Sequence, residues 1–171
     1  MTGLQRKVCL LGDFAVGKTS LMRRFVYDLF NEKYITTIGV KVSLKSVAVP
    51  RDGEAVELTL MLWDLSGSEE FDQVRASYLR GAAGAILVCD LTRPDTLADL
   101  PQYANQLLSL NPEARLVVAA NKLDLSDQHQ LSSTQVAEAA GKLNAPFYLT
   151  SAKVGTEVET LFRHLGHLLV A

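Results

Sequence analysis

The 171-residue chain predicts an α/β fold: six strands in one mostly parallel sheet, with one antiparallel edge strand and helices on both faces. Three observations predict it. Gly84 to Asp90 and Leu116 to Ala120 are apolar runs of the kind found in strands buried on both faces. Helical patterns alternate with the strand patterns, as crossovers between parallel strands require. Residues 40–49 and 54–63 both alternate and are joined by Pro50-Arg51-Asp52-Gly53, which is turn chemistry, so they form an antiparallel hairpin.

The elements follow in order. Residues 5–11, containing Lys7-Val8-Cys9-Leu10-Leu11, read as the first strand, and residues 17–26 as the first helix. Residues 27–39 have no clear apolar period and read as a loop. In the hairpin, Val40, Val42 and Leu44 alternate with Lys41, Ser43 and Lys45, which gives one wet face. Val56, Leu58, Leu60 and Leu62 alternate with Glu57, Thr59 and Met61 in its second strand. A helix is expected over about 69–79. Pro94 opens a helical turn, and Pro101 starts or kinks a second piece whose stripe is Tyr103, Leu107 and Leu108. Ser132-Ser133-Thr134-Gln135 is a capping-type start for a helix ending near Asn144. Phe147-Tyr148-Leu149 is a short last strand, and Val158, Leu161, Phe162, Leu165, Leu168 and Leu169 face inward from a final helix. One domain is expected to fill residues 1–171.

Composition sets bounds on function. Apolar residues are 48%, charged residues 21%, and the net charge is -2, so no basic field calls for nucleic acid or acidic membrane. Cys9 and Cys89 lie in apolar runs and suit buried thiols in a reducing compartment. No run reaches the length of a membrane span, and the N-terminus lacks a signal peptide's apolar region. A cytoplasmic location is expected.

Between the first strand and the first helix stands Gly12-Asp13-Phe14-Ala15-Val16-Gly17-Lys18-Thr19-Ser20, with the spacing G-x-x-x-x-G-K-[ST]. Successive backbone N–H groups of such a loop curve around an anion, and the following helix aims its positive end at the same point. Lys18 supplies a point charge for the outer phosphates, and Thr19 a hydroxyl for magnesium. The bland alternative is a plain strand-to-helix turn with a solvated lysine, but strand, glycine loop and helix stand together here.

Other polar motifs end strands. Asp64 closes the hairpin's second strand with Gly67 at D-x-x-G spacing, which suits an outer-shell hold on magnesium and a backbone N–H for a terminal phosphate. A helix-capping turn is the alternative. Asn121-Lys122-Leu123-Asp124 follows the strand at Ala120. A carboxylate accepts paired hydrogen bonds from the guanine N1–H and N2–H₂ edge, which adenine does not offer, so Asp124 is the candidate for base selection. Asn121 would bridge base and phosphate loop, and the stem of Lys122 would cover the base face. Ser151-Ala152-Lys153 ends the last strand, where a backbone N–H can meet the guanine carbonyl. A surface turn is the bland reading of the tetrapeptide.

Taken together, the motifs resemble a small GTPase of the Ras superfamily, most of all its Rab branch. Gly12-Asp13-x-x-Val16-Gly17-Lys18-Thr19-Ser20, Tyr34-x-x-Thr37-Ile38-Gly39-Val40, Trp63-Asp64-x-x-Gly67, Tyr78-x-Arg80-Gly81-Ala82, Asn121-Lys122-x-Asp124 and Ser151-Ala152-Lys153 stand in family order over about residues 5 to 170. The resemblance implies a P-loop NTPase G domain that binds GTP or GDP with Mg2+, hydrolyses GTP and acts as a switch. It implies that residues 13–20 hold the phosphates, that Phe30 flanks the guanine, and that Tyr34 lies near the γ-phosphate. Thr19, Thr37 and Asp64 would hold magnesium, and Lys18, Thr37, Gly67 and the residue at 68 would serve hydrolysis. Residues about 30–42 and 64–80 would be the two switch segments. Effectors, exchange factors and GAPs would meet these and the hairpin.

The sequence departs from the family pattern at three places. Ser68 stands where the family usually has the glutamine that orients the attacking water, with Ser66 replacing the usual alanine beside it. Phe14 stands where Ras has glycine, crowding the space an arginine finger enters. Slow intrinsic hydrolysis and failed GAP stimulation are therefore expected, unless Glu69 or Gln73 positions water instead. Second, the chain stops at Leu168-Leu169-Val170-Ala171 with no prenylation cysteine or basic run. Either a tail has been removed or the protein is not lipid-anchored, as in a bacterial or otherwise unlipidated relative. Third, of the three effector-facing aromatic positions of Rabs, Trp63 and Tyr78 match and the other is Val42. Groove filling is an equal reading of the two rings.

The leading function is a GTP/GDP switch with slow GTPase activity, and the alternative is a hydrolysis-deficient nucleotide-binding scaffold. A P-loop phosphotransferase or ATPase is disfavoured by Asn121 to Asp124 and by Ser151 to Lys153. His164 and His167 share a helix face without a third metal ligand, and His129 reads as solvated.

Overall fold

The computed structural model describes residues 3–28, 40–65 and 72–171, with backbone alone for 72–75. Six strands form one sheet in the order β2-β3-β1-β4-β5-β6: β1 (Leu4–Leu11), β2 (Val40–Arg51), β3 (Glu54–Leu65), β4 (Gly84–Asp90), β5 (Arg115–Asn121) and β6 (Phe147–Leu149). The antiparallel pair is β2 with β3, and every other neighbouring pair runs parallel. The mostly parallel sheet with an antiparallel edge is thus the one expected.

Six α-helices are described: α1 (Lys18–Tyr27), α2 (Asp72–Leu79), α3 (Pro94–Ala98), α4 (Leu100–Leu110), α5 (Ser133–Lys142) and α6 (Val158–Val170). They divide between two cores, one on each face of the sheet. Leu21, Met22 and Phe25 of α1 and Leu161, Phe162 and Leu165 of α6 pack on Val8, Leu10, Ile86 and Val88. Leu79, Leu97, Leu100, Leu107 and Val136, from α2 to α5, pack on the alternate strand residues Cys9, Ala85, Leu87 and Cys89. The rings of Phe25 and Phe162 stack with centroids 4.0 Å apart and an interplanar angle of 1°.

The sheet's order explains where a ligand can sit. β1 has β3 on one side and β4 on the other, so the chain reverses its direction of strand addition at β1. Open α/β sheets bind ligands beyond the carboxyl ends of the strands at that reversal. Leu10 lies beside Asp64, and Asp90 beside Asn121, so these strand ends share one rim.

Several expectations shift. Helix α1 begins at Lys18, because Gly17 takes a left-handed φ of 104°. The hairpin strands run to Arg51 and from Glu54, and β2 accepts Pro50 because it is an edge strand. The helix expected over 69–79 is described as Asp72–Leu79. Pro94 and Pro101 both stand in the first turn of a helix, which splits the segment at Asp99 as expected. Ser132 accepts from the Gln135 N–H while the Gln135 side chain accepts from the Ser132 N–H, a complete capping box. That helix ends at Lys142, and Asn144 follows with a φ of 53°. A 3-10 turn over Ser126–Gln128 lies in the loop after β5.

The face of β2 is a correction. Val42 is 47% exposed and Leu44 62%, whereas Ser43, Val47 and Val49 are buried. Apolar residues occupy even positions through Leu44 and odd ones from Val47, yet the pairing with β3 is unbroken from Val40 to Arg51. Without a bulge, a strand cannot change face, so one half must expose its apolar set. Helix α6 packs on the odd face, with Gly166 against Val47 and Val49, and fixes which half that is.

Candidate functional site

The loop after β1 approaches its neighbours closely. A Cβ on Gly12 would overlap the Val88 carbonyl oxygen, and one on Gly17 would overlap the Asn121 amide. Both positions also have positive φ, so glycine answers a steric and a conformational demand together. Within the loop, buried Lys18 Nζ donates to the carbonyls of Gly12 (2.7 Å) and Asp13 (3.1 Å). The N–H groups of Ala15, Val16 and Gly17 find no protein acceptor among the described residues. Three successive donors beside a buried ammonium make an anion cradle. Ser20 follows in α1.

Two links fasten this loop from outside. Asn121 Nδ2 donates to Val16 O at 3.0 Å. Arg93, in the turn before α3, donates from Nη1 to Phe14 O at 2.7 Å and pairs with Asp13 Oδ2 at 3.5 Å. Phe14 itself is 52% exposed, so its ring is largely in solvent rather than in a core.

Thr19 Oγ1 donates to Asp64 Oδ2, bringing the first turn of α1 to the end of β3. Both side chains are buried, and Asp64 is fully so. A hydroxyl and a carboxylate side by side are hard oxygen donors, the set that magnesium takes. These two residues fit the ion.

At the far end of the rim, Asn121 Oδ1 accepts from Thr150 Oγ1 (3.1 Å) and from the Ala152 N–H (3.2 Å). One amide therefore ties the loop after β1 to the loop after β6. Ser151 Oγ donates to Asp124 Oδ1 at 2.8 Å and accepts from the Val154 N–H. The serine spends its one proton on orienting the carboxylate and leaves it acceptor capacity. Arg24 of α1 donates to the carbonyls of Ala152 and Lys153, holding that loop on the helix.

Lys122 has a φ of 72°, and its Nζ pairs with the fully buried Asp90 Oδ2 at 2.8 Å. Asp90 Oδ1 accepts from both the N–H and the hydroxyl of Thr92. Asp90, Arg93 and Arg24 are contributors that sequence reasoning missed. Asp90 carried a readable signal, since it ends an apolar strand as Asp64 does. The two arginines carried none, because the site residues they hold are distant in the chain: Arg24 binds the carbonyls of Ala152 and Lys153, and Arg93 the carbonyl of Phe14 and the carboxylate of Asp13.

Among the described residues, Asp13 to Ser20, Asp64, Asn121, Lys122, Asp124 and Ser151 to Lys153 are thus gathered on one rim. Phe30, Tyr34, Thr37, Ser66, Gly67, Ser68 and Glu69 lie outside the described residues, as does the Gln73 side chain.

Trp63 and Tyr78 are half-buried, their ring centroids 6.1 Å apart, and Val42 stands opposite Trp63 across the hairpin. Lys7 Nζ lies 3.9 Å from the centroid of Trp63 and donates to Arg80 O. Burial lowers the Lys7 pKa, although the neighbouring Cys9 acts the other way. Burial pushes the thiols of Cys9 and Cys89 up to about 12, with the charge of Asp90 adding at Cys89. Tyr148 is raised by burial and by Glu157, and its hydroxyl lies 2.7 Å from His164 Nδ1. His129 is half-buried, with Nε2 3.2 Å from Lys122 O, which corrects the expectation of a solvated side chain.

Residues 7–170 match a family model described as Ras family. The chain belongs to the Ras family. It is 33% identical over 164 residues to Ras-related protein SEC4 of Candida albicans, covering 95% of this chain and 76% of that protein. Identity to Ras-related protein SEC4 of Saccharomyces cerevisiae is 37% over 164 residues, covering 95% and 74%. Identity to GTP-binding protein ypt1 of Schizosaccharomyces pombe is 38% over 158 residues, covering 91% and 75%. These relatives make it a Rab-like small GTPase of the Ras superfamily, as the sequence motifs implied. Ras-family GTPases generally bind GTP or GDP with Mg2+, and generally meet effectors, exchange factors and GAPs. No described helix of this small GTPase is long and apolar enough to cross a membrane.

Proposed function

We propose that this chain is a guanine-nucleotide switch, a single G domain over residues 1–171 that cycles between GTP and GDP in the cytoplasm and hydrolyses GTP slowly. The observation that carries the reading is the Asn121 side chain, which bonds both the phosphate-type loop at Val16 and the Ser151-Ala152-Lys153 loop at Ala152. A base selected by Asp124 and phosphates held by residues 13–20 would then be fixed at a set separation.

Lys18 and the three N–H groups of the cradle bind the phosphates, and the Lys122 stem and Phe30 flank the base. Tyr34, Thr37 and Gly67, which lie outside the described residues, would serve the γ-phosphate side, as the family resemblance implies. Mg2+, held by Thr19, Thr37 and Asp64, would supply charge stabilisation at the phosphates.

Slow hydrolysis rests on Ser68 and Phe14. A serine hydroxyl is shorter than a glutamine amide and reaches the attacking water poorly. The exposed Phe14 ring stands at the loop and obstructs an arginine from a GAP. Effectors and exchange factors would meet the switch segments and the Val42, Trp63 and Tyr78 surface.

A single-turnover GTP assay on wild type and Ser68→Gln tests the hydrolysis claim. The reading predicts a slow wild type and a faster variant. A variant no faster than wild type contradicts the role given to position 68. Retained binding with no turnover in either protein favours the scaffold reading.

A further inference from the structure

Arg93 makes the least expected contact with the nucleotide loop. Its Nη1 donates to Phe14 O at 2.7 Å. Its Nη2 lies 3.5 Å from Asp13 Oδ2 and 3.9 Å from Asp95 Oδ2, so it pairs with two of the three carboxylates in the acidic group Asp13, Asp95 and Asp99. Asp13 Oδ1 in turn accepts from the Phe14 N–H at 2.7 Å.

The geometry has a directional consequence. Across a trans peptide the C=O of one residue and the N–H of the next point opposite ways. Pinning Phe14 O outward on Arg93 therefore turns the Ala15 N–H inward, toward the cradle. Asn121 does the same two residues on: it pins Val16 O and turns the Gly17 N–H inward. The position under Arg93 needs help, because Ala15 is a non-glycine residue at a φ of 63°, a left-handed conformation that its Cβ disfavours. Its N–H has no protein acceptor among the described residues. Arg93 itself is set by its own N–H, which donates to Asp90 O at 2.9 Å.

We propose that Arg93 is a positioning residue for nucleotide binding, holding the strained Phe14–Ala15 peptide so that the Ala15 N–H faces the phosphates. The proposal rests on the guanine-nucleotide reading above. It assigns a function to a side chain beyond the loop motif, one that acts through another residue's backbone.

The test is the release rate of a fluorescent GDP in wild type, Arg93→Ala, Ala15→Gly and the double variant. Arg93→Ala should release GDP about tenfold faster, the scale of one charge-assisted hydrogen bond. On the Ala15→Gly background the same change should cost about twofold or less, since glycine takes the left-handed conformation unaided. In wild type alone, the Ala15 amide resonance should move downfield when GDP binds. An equal cost on both backgrounds, no cost on either, or an unmoved Ala15 amide overturns the proposal while leaving GDP binding intact. A wild type that takes up no GDP overturns both readings.

Discussion

Thr19 and Asp64, 45 residues apart in the chain, meet through a buried hydrogen bond between hydroxyl and carboxylate. The contact places two oxygen donors side by side where the first helix begins and the third strand ends. If they share a magnesium ion, EDTA will speed GDP release from wild type but change it little in Asp64→Ala. That variant should release GDP quickly even in millimolar magnesium. Release from Asp64→Ala as slow and as EDTA-sensitive as wild type would remove Asp64 from the metal site.

The Phe14 ring is more than half exposed, so its replacement should be nearly neutral for folding. Phe14→Ser is expected to change unfolding free energy by about 0.5 kcal/mol or less, as surface substitutions do. Urea denaturation checks this. A loss of several kcal/mol would mean that the ring is a structural plug and not an obstruction at the loop.

Phe162 is fully buried and stacked on Phe25, joining α6 to α1. Truncating it removes ring contacts and leaves a cavity under both helices. Phe162→Ala should cost about 3–5 kcal/mol, measured by urea or thermal unfolding. A cost under about 1 kcal/mol would mean that the two helices close the gap.

The thiols give an alkaline signature. Folding holds Cys9 and Cys89 as thiols up to about 12, against an ordinary value of 9.0. Between those values the unfolded chain has lost protons that the folded chain keeps, so stability falls as pH rises above about 9. Each thiol contributes a slope of up to about 1.4 kcal/mol per pH unit there. Urea midpoints from pH 8 to 10.5 should fall less steeply in a Cys9→Ala/Cys89→Ala variant than in wild type. Equal slopes would contradict the assigned burial effect.

Much of this was legible in the sequence because the signals were local. The glycine loop, Asp64, Asn121, Asp124 and Ser151 each sit where an apolar strand ends, and the parallel sheet brings those ends to one rim. The hairpin was legible from its turn, but the buried face of β2 was not. The strand's apolar phase slips between Leu44 and Val47, and the packing of α6 decides which half is covered. Arg24, Arg93 and Lys122 act through contacts with distant carbonyls or with Asp90, which no spacing rule announces. His129 looked solvated because its loop is polar, yet Lys122 O lies within its reach.

The most direct test of the account is base choice at Asp124, which Ser151 orients at 2.8 Å. Binding of GDP and of xanthosine diphosphate would be measured on wild type and Asp124→Asn by competition against a fluorescent nucleotide. The account predicts that wild type prefers GDP and that the variant reverses the order, because an asparagine amide donates where the carboxylate accepts. GDP affinity unchanged in Asp124→Asn would contradict it.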